Sequence, residues 1–399
     1  MNRAEVLMAE TFKRRRIRVV MVVRLFYPWI GGTENQSYRL AKKLIEKNLE
    51  VEIVTGWWFR GTRQREFIDQ IPVFRNQTLW EFFGIKGLRK FGGYLYILSL
   101  LWYLWRRRAD YDLIHVHGFS YHTFAAVLAG RWTGHKTLTK LANSGQDSDI
   151  KKMQSNYELF LSRYMLGTAL ASDRFVALNR KIVEELIAAG VTSDKVTELN
   201  NGVDCNQFIT KDTYSLHHPV RIIFVGRLHE QKSVDTLLFA FQRLLQLTPG
   251  SSLCLQLLGD GPLRDELIRL AGQLGISGQV EFVGGSDRVR EYLSAADIFV
   301  LPSRAEGLSN ALLEAMACAL PVVVSKIPGN IAVIEHNENG LFFNTGDPDS
   351  LAQSVYNLLN QPNLRERLGR AARRTVEEHY SLDQIADQYI ALYQDLLSK

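Results

Sequence analysis

Two carboxylates, Glu306 and Glu314, stand eight positions apart in the stretch Glu306-Gly307-Leu308-Ser309-Asn310-Ala311-Leu312-Leu313-Glu314. Apolar residues at Leu308, Ala311, Leu312 and Ala315 recur at helical spacing, and Ser309 is placed to cap a helix running to about Ala319. Glu306 then lies in the loop before that helix and Glu314 on its second turn. Between them, the first-turn N–H groups around Leu308, Ser309 and Asn310 and the positive end of the helix dipole form a site for a diphosphate. A carboxylate on either side suits a ligand whose hydroxyl groups flank that anion. A nucleotide-sugar has this form, with ribose on one side and a hexose on the other.

Other chemistry-bearing residues follow apolar runs. Val225-Gly226-Arg227 closes one run, and Lys232 comes soon after in Glu230-Gln231-Lys232. Gly31-Gly32-Thr33-Glu34 follows the first run and opens a helical pattern. The glycine pair lets backbone approach a ligand, and Thr33 can cap the helix. In Leu113-Ile114-His115-Val116-His117, strand alternation puts both histidines on one side, with His117 nearer the C-terminal edge. The loop Ala142-Asn143-Ser144-Gly145-Gln146-Asp147 follows the next strand, and its position favours Asn143 or Asp147 as an acceptor contact. Gly259-Asp260-Gly261-Pro262 and Val283-Gly284-Gly285-Ser286 read as glycine turns at strand ends.

Positioning these residues requires an alternating α/β chain. Strand candidates in the first half are Arg18–Val23, 51–55, Leu113–His117, 137–141 and 175–178; in the second half they are 221–225, Leu253–Leu258, 280–283, Ile298–Leu301 and Val322–Ser325. Continuous apolar strands separated by helices predict parallel sheets covered on both faces. The pattern runs twice, which suits a chain of 399 residues, too long for one ordinary core. The polar stretch 200–219 between the sets reads as a linker. The expected domains are 1–210, with 382–399 packing back on it, and 211–381: two doubly wound Rossmann-like domains whose ligand-binding edges face across a cleft.

Composition narrows the class. At 46% hydrophobic and 23% charged residues, the chain reads as globular. Cys205, Cys254 and Cys318 match no metal-ligand spacing and read as small buried hydrophobes in a reducing compartment. The apolar run after Arg14-Arg15-Arg16 ends at Arg24, too short for a signal-peptide core, so a cytoplasmic location is expected. Residues 1–210 hold 31 Lys and Arg against 20 Asp and Glu, a net of +11, while the rest is net −5. A basic first half implies an anionic partner, and no nucleic-acid module is present. Lys86, Arg89 and Lys90 before Tyr94–Trp105, and Arg106 to Arg108 after it, give the composition of an interfacial helix. Peripheral contact with the inner face of an anionic membrane is therefore expected. The twelve-residue run spans only about 18 Å, short of a bilayer core.

Taken in order, these motifs resemble the retaining glycosyltransferases of family 4 (glycosyl transferases group 1), which have the GT-B fold. The likeness covers almost the whole chain, from Ile17 to about Leu397. It implies that Arg227 and Lys232 grip the diphosphate of the donor, that Glu314 binds the ribose, and that Glu306 binds the transferred sugar. It also implies that His117 lines the sugar site, that Gly31 and Gly32 border the donor phosphate and acceptor, and that the Gly284–Ser286 turn borders the base. Many relatives carry His-Gly where this chain has Ser144-Gly145. Cations fixed on a departing diphosphate lower the barrier most in the transition state, where its charge grows.

The activity implied is transfer of a sugar from a nucleoside diphosphate donor, UDP favoured over GDP, to an acceptor hydroxyl with retention. A lipid-linked or surface-polysaccharide precursor is the expected acceptor; a soluble acceptor, or a nucleotide-sugar epimerase on the same fold, is the alternative. No side chain stands out as a base, which fits a front-face route in which the departing phosphate oxygen takes the acceptor proton. The Asp110/Asp112, Asp147/Asp149 and Asp347/Asp349 patterns could suggest a metal, but Arg227 and Lys232 supply the positive charge; no metal and no cofactor are expected. The first strand is followed by Arg24-Leu25-Phe26-Tyr27, not a Gly-rich fingerprint, which argues against a dinucleotide-dependent oxidoreductase.

Overall fold

The computed structural model describes residues 16–28, 31–78, 89–145, 148–155 and 162–399. The chain forms two compact units, residues 1–199 with 385–399, and residues 200–384. The first boundary falls ahead of the 210 expected from the polar stretch, and the second falls at 384/385 in place of 381/382. The reason is that the stretch 200–219 is anchored within the second unit. Lys211 Nζ lies 3.1 Å from Asp297 Oδ1, His217 Nδ1 lies 2.8 Å from the same oxygen, and Tyr214 donates its hydroxyl to the Ala319 carbonyl at 2.9 Å. Arg365, buried, donates in turn to the Tyr214 carbonyl at 3.1 Å. Polar composition predicted a linker; those polar groups are instead used to fasten the segment.

Both units are built on a largely parallel sheet, and the whole is an α/β chain of two doubly wound domains. The first sheet has the strand order β3-β4-β2-β1-β5-β6-β7-β8. Its central strands are β1 (Arg18–Val23), β2 (Glu50–Gly56), β5 (Leu113–His117), β6 (Lys136–Leu141) and β7 (Arg174–Ala177). β8 is Val196–Glu198. Val19, Met21 and Val23 of β1 bury against Leu40, Ala41 and Leu44 of α1 (Gly32–Glu46) on one face, together with Tyr389 and Tyr393 of the last helix, Leu382–Leu397. Val20, Val22, Ile114 and Val116 are buried on the alternate face. Helices α2 (Arg89–Arg106) and α3 (Tyr121–Thr133) pack beside each other.

One part of this sheet departs from expectation. β3 (Arg65–Ile68) and β4 (Ile71–Asn76) form an antiparallel hairpin at the edge. Its turn residues Asp69 and Gln70 take φ of 44° and 69°, the left-handed region a tight hairpin needs. In Arg65-Glu66-Phe67-Ile68 it is exposure that alternates, not residue type, and two charged residues followed by two apolar ones do not form an apolar run.

The second sheet has the order β11-β10-β9-β12-β13-β14, with every pair parallel. Its strands are β9 (Val220–Val225), β10 (Leu253–Leu258), β11 (Val280–Gly284), β12 (Ile298–Leu301), β13 (Val322–Ser325) and the short β14 (Leu341–Phe343). In each sheet the strand order reverses once near the middle, between β1 and β5 and between β9 and β12. Loops leaving the C-terminal ends of those two strand pairs diverge to opposite faces and leave a crevice, where ligands bind in open α/β sheets.

Candidate active site

The second unit gathers the charged motif at its reversal point. β9 runs out through Gly226 into Arg227, whose side chain is exposed, and then into a single 3₁₀ turn, Glu230–Lys232. β12 runs out through Pro302 and Ser303 to Glu306. The two loops are sewn together: Arg304 N donates to Gln231 O at 2.8 Å, and Gln231 Nε2 donates to Ala305 O at 2.8 Å. This stitching brings Lys232 Nζ onto Glu306 Oε1, and Ser303 Oγ donates to the same oxygen at 2.7 Å. Both charged side chains are largely shielded from solvent, at 19% and 9% exposure. A cation and a carboxylate that lie 74 positions apart in sequence thus share one spot.

Helix α10 (Asn310–Ala317) begins beside them. Ser309 caps it, accepting from Leu312 N at 3.4 Å, and the helix ends two residues before the expected Ala319, which takes a left-handed φ of 57°. Asn310 Oδ1 accepts from Asn201 Nδ2 at 2.9 Å, fixing the first turn. Glu314 is buried on the second turn. Behind the loop, Gly329 permits a close approach: a Cβ there would stand 2.5 Å from the Glu306 carbonyl oxygen and 2.7 Å from that of Gly307. Asn330 donates to the Ser325 carbonyl at 2.9 Å and holds this backing in place.

The glycine turns of the same edge interlock. Gly226 N donates to Leu258 O at 3.0 Å, and Gly259 N donates to Gly284 O at 2.8 Å. A Cβ on Gly259 would meet the Gly226 carbonyl at 2.0 Å, so the position needs glycine for space as well as for its φ of +140°. Gly284 takes φ +81° at the end of β11. Ser286 uses its hydroxyl locally, accepting from Arg288 N at 3.1 Å.

The first unit presents a different constellation at its reversal point. A cavity of about 320 Å³ is lined by Arg24, Glu34, His117, His122, Asn143 and Asp149, among others. Gly31 is the N-cap of α1 with no side-chain cap bond, and the helix starts at Gly32; Thr33 therefore lies inside it, not at the cap expected from sequence. The early start turns Thr33 and Glu34 toward the cavity. Burial pushes the Glu34 carboxyl above its usual value.

His115 and His117 do share a side, with ring centroids 4.1 Å apart. His115 Nδ1 contacts the Tyr393 hydroxyl at 2.8 Å. Both ring nitrogens of His117 are buried without a hydrogen-bond partner among the described residues. Burial, with His115 and Lys140 nearby, holds His117 well below the ordinary histidine range, so its ring is neutral at neutral pH. His122 Nε2 lies 3.0 Å from the His117 carbonyl oxygen, and burial lowers its pKa to about 4. Lys140, equally buried, is lowered to about 7 by desolvation.

The acceptor candidates fare unequally. Asn143 lines the cavity, yet its backbone N and side-chain Nδ2 both donate to Asp149, at 3.1 and 2.9 Å. Asp147 lies outside the described residues, as does Lys86. Asp149 is a loop brace, Asp110 and Asp112 pair with Arg107 and Arg18, and Asp347 caps the helix Pro348–Asn360. Among the described residues, no three His, Cys, Asp or Glu side chains gather as a metal set. Cys318 is buried as expected, whereas Cys205 and Cys254 are half-buried. From sequence, Glu34 and His122 are not assigned to the site and Asp149 is weighed only in the Asp147/Asp149 metal pattern; of the first two, only Glu34, next to the glycine pair, carries a signal.

Residues 208–375 match the family model for glycosyl transferases group 1, and residues 30–207 match that for glycosyltransferase family 4. A curated N-acetyl-alpha-D-glucosaminyl L-malate synthase of Bacillus anthracis is 26% identical over 93% of this chain and 96% of its own length. The lipopolysaccharide core biosynthesis glycosyltransferase LpsE of Rhizobium meliloti is 34% identical over 50% of this chain and 57% of its own. Among solved structures, Anabaena Alr3699/HepE in complex with UDP and glucose superposes with a TM-score of 0.74 at 19% identity, over 95% of this chain and 100% of that one. The fold is GT-B, and the chain belongs to the group 1, family 4 glycosyltransferases. It is a glycosyltransferase.

Proposed function

We propose that the protein transfers a sugar, with retention, from a UDP-sugar to the hydroxyl of a lipid-linked or surface-polysaccharide precursor. The observation that carries this reading is the Lys232–Glu306 contact beside the capped N-terminus of α10, at the point where strand order reverses. In it, Arg227, Lys232 and the N–H groups of Leu308 to Asn310 receive the diphosphate and stabilise its growing charge as the glycosidic bond breaks. Glu306 accepts from hydroxyls of the transferred sugar, and Glu314 from the ribose. The Gly284–Ser286 turn borders the base. In the first unit, His117 and the Gly31-Gly32 turn serve the sugar and the acceptor; a neutral imidazole can both donate and accept there. The cations and helix terminus supply the charge that a metal would bring, so the reaction runs without one. The preference for uridine is supported by the structural relative solved with UDP and glucose, and the acceptor class by the lipopolysaccharide-core relative.

Thermal shift with UDP, GDP and their sugars tests the donor. UDP-sugars should raise the melting temperature, GDP-sugars should not, and Lys232→Ala should remove the shift. Equal stabilisation by guanosine nucleotides overturns the uridine preference. Donor conversion that needs no acceptor would favour an epimerase.

A further inference from the structure

Helix α2 carries surface that its own fold does not use. Tyr96, Ile97, Leu100, Leu101, Tyr103 and Leu104 are buried, whereas Leu98, Trp102 and Trp105 are 63%, 59% and 49% exposed. Spacings of four and three place these three side chains on one stripe. Single exposed apolar residues are ordinary, but a leucine and two tryptophans in line form a contiguous apolar patch.

Arginines frame the stripe. The Arg106 guanidinium lies 5.5 Å from the Trp102 ring centroid, and that of Arg108 lies 5.0 Å from the Trp105 ring. Arg107 differs, being paired with Glu52 and Asp110. The helix sequence Arg89–Arg106 contains no carboxylate. Next to α2, helix α3 ends with Arg131 and with Trp132, which is 62% exposed. Tryptophan has an apolar ring with one N–H donor, and arginine has an apolar stem with a cationic head. Both suit the boundary between acyl chains and phosphates. No helix of the described residues is long and apolar enough to cross a membrane.

We infer that α2 lies flat on an anionic lipid surface, with Leu98, Trp102 and Trp105 entering the boundary and Arg106 and Arg108 meeting lipid phosphates. Charge selects this occupant. Residues 1–210 carry 31 basic against 20 acidic side chains, which draws them to an anionic surface. A second copy of the chain seated on the same stripe would bring basic ends together in either direction, since the helix sequence is basic at both ends and has no carboxylate. The inference deepens the lipid-linked acceptor reading but does not rest on the transfer reaction.

Co-sedimentation of the full chain with vesicles tests it. Vesicles of phosphatidylcholine with phosphatidylglycerol should carry the protein down, and pure phosphatidylcholine vesicles should carry much less. Trp102→Ser with Trp105→Ser should lower the partition on the order of tenfold or more, and the milder Leu98→Gln should lower it measurably. Arg106→Gln and Arg108→Gln should each cost about fivefold on anionic vesicles only. The proposal is overturned if the wild-type chain stays in the supernatant, or if the tryptophan and leucine variants bind undiminished. It is also overturned if ultracentrifugation shows concentration-dependent dimers, lost in the tryptophan variant, with no vesicle binding. Because the donor site lies in the other unit, UDP-sugar thermal shifts should be unchanged in these variants, so failure here is distinct from failure of the transfer reading.

Discussion

The reversal points of the two sheets have the same topology and opposite chemistry. At β9/β12, Lys232, Glu306 and the α10 N-terminus put formal charges and helix-end N–H groups together. At β1/β5, His115, His117, His122 and Lys140 are buried and pushed toward their neutral forms. The difference is one of desolvation. A carboxylate and a cation in contact can stay ionised while shielded, because each compensates the other. Buried histidines beside one another and beside Lys140 are instead shifted by desolvation toward their neutral forms. The second unit is therefore suited to holding a charged group, and the first to hydrogen-bonding neutral hydroxyls.

Breaking the charged side should have the largest effect. Lys232→Ala should lower kcat/KM by about 10²–10³-fold, as removal of one transition-state donor does elsewhere. Because Glu306 is then left shielded without its cation, the melting temperature should fall as well, so steady-state kinetics is measured well below the midpoint of the variant's own thermal melt, which separates the two effects.

The neutral side should show itself as acid sensitivity. The pKa of His122 falls from an unfolded value near 6.5 to about 4 in the folded chain, so the unfolded state binds the proton first as pH falls. The stability His122 contributes is complete above about pH 6.5 and is lost progressively down to about pH 4. His115 and His117 shift in the same direction and steepen the loss. For His122 alone the difference is about 3 kcal/mol. Urea unfolding between pH 7 and 4 should show this slope, and His122→Gln should flatten it.

Tyr393→Phe removes the hydroxyl that meets His115 Nδ1 and leaves a buried nitrogen without that partner. A loss of about 1–2 kcal/mol in stability is expected by denaturant titration, with donor binding intact. The smallest effect belongs to the helix cap. Ser309→Ala should cost about 1 kcal/mol, together with a weaker UDP-induced thermal shift because the first turn of α10 loosens.

The two reversal points also differed in how much of them could be read beforehand. Around Glu306–Glu314 the pattern is local: the cap, the apolar spacing and both carboxylates fall within a few turns of chain, and the helix begins at Asn310 as Ser309 predicts. The apolar runs of β1, β5, β10, β12 and β13 were legible to the residue, because strands buried on both faces have little freedom in composition. The edge strand β3 and the short β8 and β14 lack that signature, and β4, though buried, has its apolar run broken by Pro72 and ended by Arg75 and Asn76, so none of the four reads as a strand in sequence. Thr33 was misplaced as a cap because a helix can begin on glycine with no side-chain bond at all.

Residue type and spacing alone determined that this chain builds two wound α/β sheets, and that a capped helix N-terminus flanked by two carboxylates follows the strand Ile298–Leu301. These are near-neighbour properties, set by periodicity and capping. Only the tertiary structure decided that Lys232 meets Glu306, that Asn143 is held by Asp149, and that His117 sits neutral and without a hydrogen-bond partner among the described residues. Protonation and pairing depend on burial and on groups far away in sequence, such as the Tyr393 ring system behind His115. No spacing rule carries that information, because desolvation is a property of the packed interior rather than of the chain.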